Sequence, residues 1–323
     1  MNKSYLYHPF EVFFAGPAAR PLIEKLISKF TPQYKVTGLK RDPQISDYHF
    51  ALLEEPQSIT APKIIVLDDD EQGEILKLIQ DGTVVNVHAF VVSPKIKLPL
   101  PAGVPTFAHD DLDGLAKYVL DFVFEKASKA PLFGLVLVGG KSSRMGQDKG
   151  ALSYHGETQV QFLYKLLAKY CTKTFVSCRN DQEQSSHLQG LPQIHDSVTS
   201  TGPAAGILSA MMAYPEARWL VMACDLPLVD DQHLQHLITN AHPFALVSGH
   251  VDAQGLPEPL SAIYRPEFKH KLLHFFERGI KCPRKMLLNS LFQPLANPNI
   301  DKLTNANTPE DYTNILQKIG VTL

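Results

Sequence analysis

The segment Leu135-Val-Leu-Val-Gly-Gly-Lys-Ser-Ser-Arg-Met-Gly-Gln-Asp-Lys149 carries residue types suited to holding a nucleoside triphosphate. An apolar run, Phe133 to Val138, stops at Gly139-Gly140. A short loop follows, with Lys141, Arg144 and Lys149 among small residues. Glycines let backbone N–H groups approach phosphate oxygens and allow dihedrals that a side chain forbids. Arg144 and Lys149 bring charge to the same oxygens. The spacing is that of neither common nucleotide loop. Gly140 to Gly146 does not fit G-x-x-x-x-G-K-[ST], and G-x-G-x-x-G is absent. On two glycines and one lysine alone, the segment would read as a turn with solvated charges.

Two aspartates follow candidate strands. Asp225 comes after Trp219-Leu-Val-Met-Ala-Cys224, and Asp196 after Gln193-Ile-His195. One such aspartate would be read as a turn or helix cap. Two, in a chain with a triphosphate-type loop, point to Mg²⁺, which is commonly held by one or two carboxylates plus substrate phosphates. No Ser–His pair is evident.

These groups need a scaffold that gathers strand ends. Strands are expected at Gly134–Val138, Thr174–Cys178, Trp219–Ala223, Ala245–Ser248 and Leu260–Tyr264. Helices are expected at Val160–Tyr170, Pro203–Ala213, Asp231–Asn240 and Glu267–Glu277. Pro203 after Gly202 suits a first helical turn. Thr308, Pro309 and Asp311 form a capping-box pattern for a last helix. Alternation of this kind implies an α/β fold, a Rossmann-like and mainly parallel sheet with helices on both faces. In such sheets ligands lie at the carboxyl ends of the strands.

The chain has 323 residues, 44% hydrophobic and 20% charged, which allows two packed domains. A break is expected at Lys126-Ala-Ser-Lys-Ala-Pro131, giving domains 1–130 and 131–323. The net charge of -2 argues against a nucleic-acid partner. No apolar run approaches membrane-helix length, and the start Met1-Asn-Lys-Ser-Tyr-Leu-Tyr-His-Pro9 is too short and polar for a signal peptide. Cys171, Cys178, Cys224 and Cys282 show no C-x-x-C pairing and are expected to be reduced. Together these suggest a cytoplasmic enzyme without a membrane partner.

The string ending at Lys149 resembles the L-A-G-G-x-S-S-R-M-G-x-D-K signature of the molybdenum cofactor guanylyltransferases, within the nucleotidyltransferase superfamily. Val138 stands where that family usually has Ala. The resemblance implies that Leu137, Val138, Gly139, Gly140 and Lys149 bind nucleotide, with Arg144 and Lys149 on the leaving pyrophosphate. Ala223-Cys-Asp-Leu-Pro-Leu228 is similar to the family's C-D-x-P segment, which implies Asp225 as the catalytic metal ligand. Asp196 matches a strand-end Asp that binds nucleotide near the metal, so it is a second metal candidate. Thr201-Gly-Pro-Ala-Ala-Gly-Ile207 is similar to the G-P-x-A-G loop and places Gly202 at the nucleotide. In Val176-Ser-Cys-Arg-Asn180, Arg179 stands where many members carry an Asn on the guanosine. Arg179 and Asn180 are alternatives for that contact.

Gly255-Leu-Pro-Glu-Pro-Leu-Ser-Ala-Ile-Tyr264 resembles the family's substrate-side strand, G-R-x-H-P-x-x-A-L-Y. Here Leu256-Pro257-Glu258 replaces Arg-x-His, which removes an Arg from the pterin side and leaves Glu258 there. Lys281-Cys-Pro-Arg-Lys285 alone would be a solvated helix start. In this setting Arg284 and Lys285 are candidates for the pterin's terminal phosphate. Asn305-Ala-Asn-Thr-Pro-Glu310 resembles an N-x-N-T-P-E ending, with Asn305 and Asn307 as candidates to shape the site. The resemblance covers Phe133 to the C-terminus.

It implies Mg²⁺-dependent transfer of GMP from GTP to molybdopterin carrying molybdenum, with release of pyrophosphate. Implied partners are GTP, molybdopterin or Mo-molybdopterin, and molybdoenzyme chaperones or other cofactor-biosynthesis proteins. Cytidylyl-transferring relatives usually show L-A-A-G, so Gly139 favours GTP over CTP. Two other readings stay open. One is a cytidylyltransferase acting on molybdopterin or a sugar nucleotide. The other is a non-catalytic cofactor-binding or chaperone protein, against which Lys149, Asp196 and Asp225 together argue.

The N-terminal part reads as strand Glu11–Gly16, then Pro17-Ala-Ala-Arg20, then helix Pro21–Phe30. It resembles the GTP-binding accessory protein of the same pathway. The cues are Glu24-Lys-Leu26, Gly38-Leu-Lys-Arg-Asp42, Val104-Pro-Thr-Phe107 and Asp110-Asp-Leu112. The P-loop Gly, Lys and Thr are missing, which implies a degenerate P-loop-like α/β domain and not a GTPase. Asp68-Asp-Asp-Glu71 is read as a solvated turn after strand Ile64–Leu67.

Overall fold

The computed structural model describes residues 11–15, 19–30, 36–38, 48–53, 63–68, 73–97, 99–138, 148–198, 202–242 and 245–320. The chain divides into two compact units, Met1–Lys126 and Ala127–Leu323.

The first unit contains β1 (Glu11–Ala15), α1 (Ala19–Phe30), β2 (Val36–Gly38), β3 (Tyr48–Leu53), β4 (Lys63–Leu67), α2 (Gly73–Gln80), β5 (Val87–Val92), β6 (Thr106–Ala108) and most of α3 (Leu112–Lys129). Its sheet runs β2-β3-β1-β4-β5-β6, and every pair is parallel. β4 is buried along its whole length, as a central parallel strand covered on both faces must be. Lys63 is part of that strand. Burial pulls its pKa down, and its ammonium donates to Val85 O at 2.7 Å. α3 runs on to Lys129. Nothing in Glu125–Lys129 breaks a helix, and Pro131 is the first residue that does. Of the acidic run after β4, Asp68 lies 3.8 Å from His109, while Asp69–Glu71 fall outside the described residues.

The second unit contains β7 (Leu132–Leu137), α4 (Gln159–Ala168), β8 (Lys173–Cys178), β9 (Gln193–His195), α5 (Pro203–Ala213), β10 (Arg218–Ala223), α6 (Asp231–Asn240), β11 (Val247–Val251), β12 (Pro257–Tyr264), α7 (Phe268–Glu277), α8 (Pro283–Leu288), β13 (Phe292–Leu295) and α9 (Pro309–Lys318). The sheet order is β13-β11-β12-β10-β7-β8-β9. Only β12 runs against its neighbours, antiparallel to both β10 and β11. Strand alternation builds two cores. Phe133, Leu135, Leu137, Trp219 and Val221 face α5, α7 and α8. Val136, Val138, Leu220 and Met222 face α4 and α6. α5 is rich in Ala and Gly and buried from Ala204 to Met211, so it packs tightly on the sheet. All four cysteines are free thiols.

A buried histidine cluster lies between α6, β11 and β12. His233 Nε2 is 2.7 Å from Ser261 Oγ, and His236 Nδ1 is 3.0 Å from His250 Nε2. Burial, with a neighbouring imidazole adding to it, pushes His233 down to about 3 and His250 to about 4. The unfolded chain therefore takes up protons below about pH 6.5 that the native state refuses. Stability should fall as pH drops from about 6.5 towards 4, by up to roughly 2.7 kcal/mol per pH unit for two such groups. Urea melts at stepped pH check this, and His250→Gln should shallow the slope by about half.

Candidate active site at the carboxyl edge of the sheet

β7 and β10 are neighbours, but the chain between them goes out to β8 and β9 before returning. This leaves a crevice at the carboxyl ends, the expected ligand position in such sheets. Backbone bonds hold the edge together beyond the strands. Val138 N donates to Ser177 O (3.2 Å), Asp196 N to Cys178 O (3.2 Å) and Cys224 N to Leu137 O (3.1 Å). The loop that begins there, Gly139 to Gln147, lies outside the described residues. Gly139, Gly140 and Arg144 are therefore placed by sequence alone.

Lys149 opens a short 3-10 turn, Lys149–Ala151. Its ammonium donates to Asn307 Oδ1 at 2.5 Å and lies 3.5 Å from Asp225 Oδ2. Asp225 is also tied to the C-terminal segment through its backbone, with Ala306 N donating to Asp225 O at 2.9 Å. The capping box expected from sequence fixes that segment. Asp311 N donates to Thr308 Oγ1, and Asp311 Oδ2 accepts from Thr308 N and Asn307 N. His155 Nε2 donates to Pro227 O at 2.9 Å and steadies the loop after Asp225.

Asp225 Oδ1 is buried and has no hydrogen-bond partner among the described residues. A hard carboxylate oxygen left unsatisfied suits a hard cation. Among the described residues, no group of three or more His, Cys, Asp or Glu side chains is arranged to hold a metal. Mg²⁺ is commonly held by one or two carboxylates together with substrate phosphates.

Asp196 follows a strand further along the same edge. β9 and β10 are separated by β8 and β7, about 14 Å at ordinary strand spacing. Asp196 lines a cleft with Leu137, Val138, Ser177, Arg179 and Gly202. Burial pushes its carboxyl pKa up, and the nearby Arg179 and His195 oppose the shift. Arg179 is itself paired with Asp181 at 2.9 Å. Asn180 begins a 3-10 turn, and its side chain lies outside the described part of the structure. Ser177, absent from the sequence expectations, also lines this cleft. Strand alternation was the available signal, since Ser177 and Arg179 share a face. Gly202 caps α5 at φ 105°, a conformation that favours glycine. A Cβ on Gly206 would displace Ser177 Oγ and press on Leu137, so α5 and the sheet approach closely at that wall.

The substrate-side candidates gather at the start of β12. Arg284, on α8, lies 3.4 Å from Glu258 and 3.5 Å from Asp252. Burial raises the Glu258 carboxyl, with Asp225 and Asp252 adding to the shift and Arg284 opposing it. Glu258 is therefore within electrostatic reach of Asp225. Lys285 follows on α8. No helix among the described residues is long and apolar enough to cross a membrane.

A buried carboxylate with a raised pKa costs stability in its ionised form, and the cost disappears as pH falls through the native pKa. Asp196→Asn should therefore leave the neutral-pH melting temperature unchanged or raise it. The same change should weaken nucleotide binding about 10-fold by removing a charged acceptor. Melting curves with and without nucleotide separate the two effects.

Residues 134–293 match the MobA-like NTP transferase domain family. The chain is 40% identical over 189 residues to the molybdenum cofactor biosynthesis bifunctional protein of Synechocystis sp., a match covering 58% of this chain and 54% of that protein. The chain thus spans about half the length of that relative. It is 30% identical over 192 residues to the molybdenum cofactor guanylyltransferase of Pseudomonas aeruginosa, covering 56% of this chain and 92% of that one. The crystal structure of molybdopterin-guanine dinucleotide biosynthesis protein A from Archaeoglobus fulgidus superposes with a TM-score of 0.50 at 22% identity, over 58% of this chain and 98% of that chain, a likeness of fold.

Proposed function

Because the chain belongs to the molybdenum cofactor guanylyltransferase family, we propose that it transfers GMP from GTP to the terminal phosphate of molybdopterin, as such or carrying molybdenum, and releases pyrophosphate. One observation carries the reading. Lys149 and Asp225, 76 positions apart, meet at 3.5 Å on the carboxyl edge, and Asp225 keeps an unsatisfied oxygen there.

The attacking group is a phosphate oxygen, already anionic, so no tuned base is required. The barrier is the approach of two polyanions, and catalysis is positioning and charge neutralisation. Mg²⁺ on Asp225 supplies Lewis-acid charge to the phosphate oxygens when bound. Lys149 leaves Asn307 to donate to the departing phosphates, joined by Arg144 from the loop. The cleft of Asp196, Arg179, Ser177 and Gly202 takes the nucleoside, and Gly139 and Gly140 are assigned to the nucleotide by sequence. Glu258, Arg284 and Lys285 take the pterin side.

The first unit is read as a relative of the pathway's GTP-binding accessory protein that has lost triphosphate chemistry. Two features support this. β1 is flanked by β3 and β4 in an all-parallel sheet, and Ala19-Arg20 starts α1 without a Lys-Ser or Lys-Thr pair.

Pyrophosphate release with molybdopterin and each of the four ribonucleoside triphosphates tests the reading. GTP should support turnover. Turnover with CTP and none with GTP would sink it.

A further inference from the structure

Asp148 and Gln182 form a link between the two halves of the nucleotide site. Asp148 directly precedes Lys149, and its Oδ1 accepts from Gly150 N at 2.9 Å. Its Oδ2 accepts from Gln182 Nε2 at 3.0 Å. Gln182 Oε1 in turn accepts from Arg179 N at 3.2 Å. One buried amide, 7% exposed, therefore joins the residue before Lys149 to the backbone of Arg179. Packing reinforces the link. A Cβ on Gly150 would sit 3.0 Å from Val138 and 3.5 Å from the His187 ring, so the turn is pressed against the segment after β8. His187 Nε2 lies 3.6 Å from Asp148 Oδ2 on the same side.

We propose that Gln182 and Asp148 are positioning residues that fix the spacing between the nucleoside cleft and Lys149, so that the site favours a ligand long enough to reach both. This rests on the reading that Lys149 meets phosphates while the Arg179–Asp196 cleft takes the nucleoside. A ligand held at both ends gains affinity from the second contact only while the spacing is fixed. If the Lys149 turn drifts, each end keeps its own contacts and the gain from joining them is lost.

The link is directional, because Gln182 donates at one end and accepts at the other. Gln182→Glu sets two carboxylates against each other. Asp148→Asn sets two NH₂ groups together, or forces Gln182 to flip and abandon Arg179 N. Making both changes restores complementarity with the roles exchanged. The new amide donates across the link, the new carboxylate accepts from it and from Arg179 N, and an oxygen remains for Gly150 N.

The test is a titration of the full chain with each ribonucleoside triphosphate in Mg²⁺. The tightest ligand then serves for the double-mutant cycle. A preference for a base other than guanine thereby counts against the proposed function and still leaves the link measurable. Each single variant should bind that triphosphate about 10-fold more weakly, while affinity for the matching monophosphate stays within about 2-fold. The Asp148→Asn, Gln182→Glu pair should return the triphosphate to within about 3-fold of the parent protein. Three results would overturn the link: unchanged triphosphate affinity in the singles, a parallel fall in monophosphate affinity as from a collapsed pocket, or a pair no better than the product of its singles.

Discussion

Asp225→Asn is expected to lower kcat for GMP transfer by about 10³-fold, roughly 4 kcal/mol of transition-state stabilisation, while the protein stays folded. The loss is electrostatic. An amide of the same size cannot neutralise a divalent cation, so the negative charge of both phosphates would be left without its main counterweight. The fold should tolerate the change because the Asp225 side chain supports little else. Oδ1 has no partner among the described residues, and the bond from Ala306 N goes to the backbone carbonyl. Loss of the Lys149 contact is minor, since that pair is 3.5 Å long and partly exposed. Turnover at saturating GTP and acceptor, paired with a thermal melt, checks both halves. Activity within about 3-fold of the parent would remove Asp225 from the mechanism.

Lys149→Met should cut kcat/KM for GTP by about 10²-fold, near 2.7 kcal/mol. The stem is kept and the point charge removed, so the loss reports on phosphate contact. The loss should appear in KM for GTP as well as in kcat, and KM for the pterin should move little. Lys149→Arg should fall between the two, because a planar fork does not replace a compact ammonium in the space between Asn307 and Asp225. A Lys149→Met protein with unchanged KM for GTP would show that the lysine serves only to tie the C-terminal segment to Asp225.

Much of the scaffold could be read from local pattern. The apolar run before Gly139 is β7, Asp225 does follow β10, and Thr308 with Asp311 does cap α9. Each depends on residues within a few positions of one another. The pairing of distant segments was not legible. The antiparallel β12 looks like any other strand in sequence, and its direction follows only from its place between β10 and β11. β13 carries Pro294 and few buried residues, so its periodicity is weak. The 158-position contact from Lys149 to Asn307 leaves no trace in spacing, and neither does the 34-position link from Gln182 to Asp148. Asp196 could be placed at a strand end, but not across the sheet from Asp225. Strand order, which local pattern does not encode, sets it in the cleft lined by Arg179, Ser177 and Gly202.

In the proposed reaction the α-phosphate of GTP ends on the pterin. The most direct measurement uses GTP labelled at the α-phosphorus, molybdopterin, Mg²⁺ and the full chain, with products separated and identified by mass. The label should appear in a pterin–guanosine dinucleotide together with unlabelled pyrophosphate, and the transfer should stop when the cation is chelated. Label found only in GMP or GDP, or dinucleotide formed from CTP and not from GTP, would contradict the account.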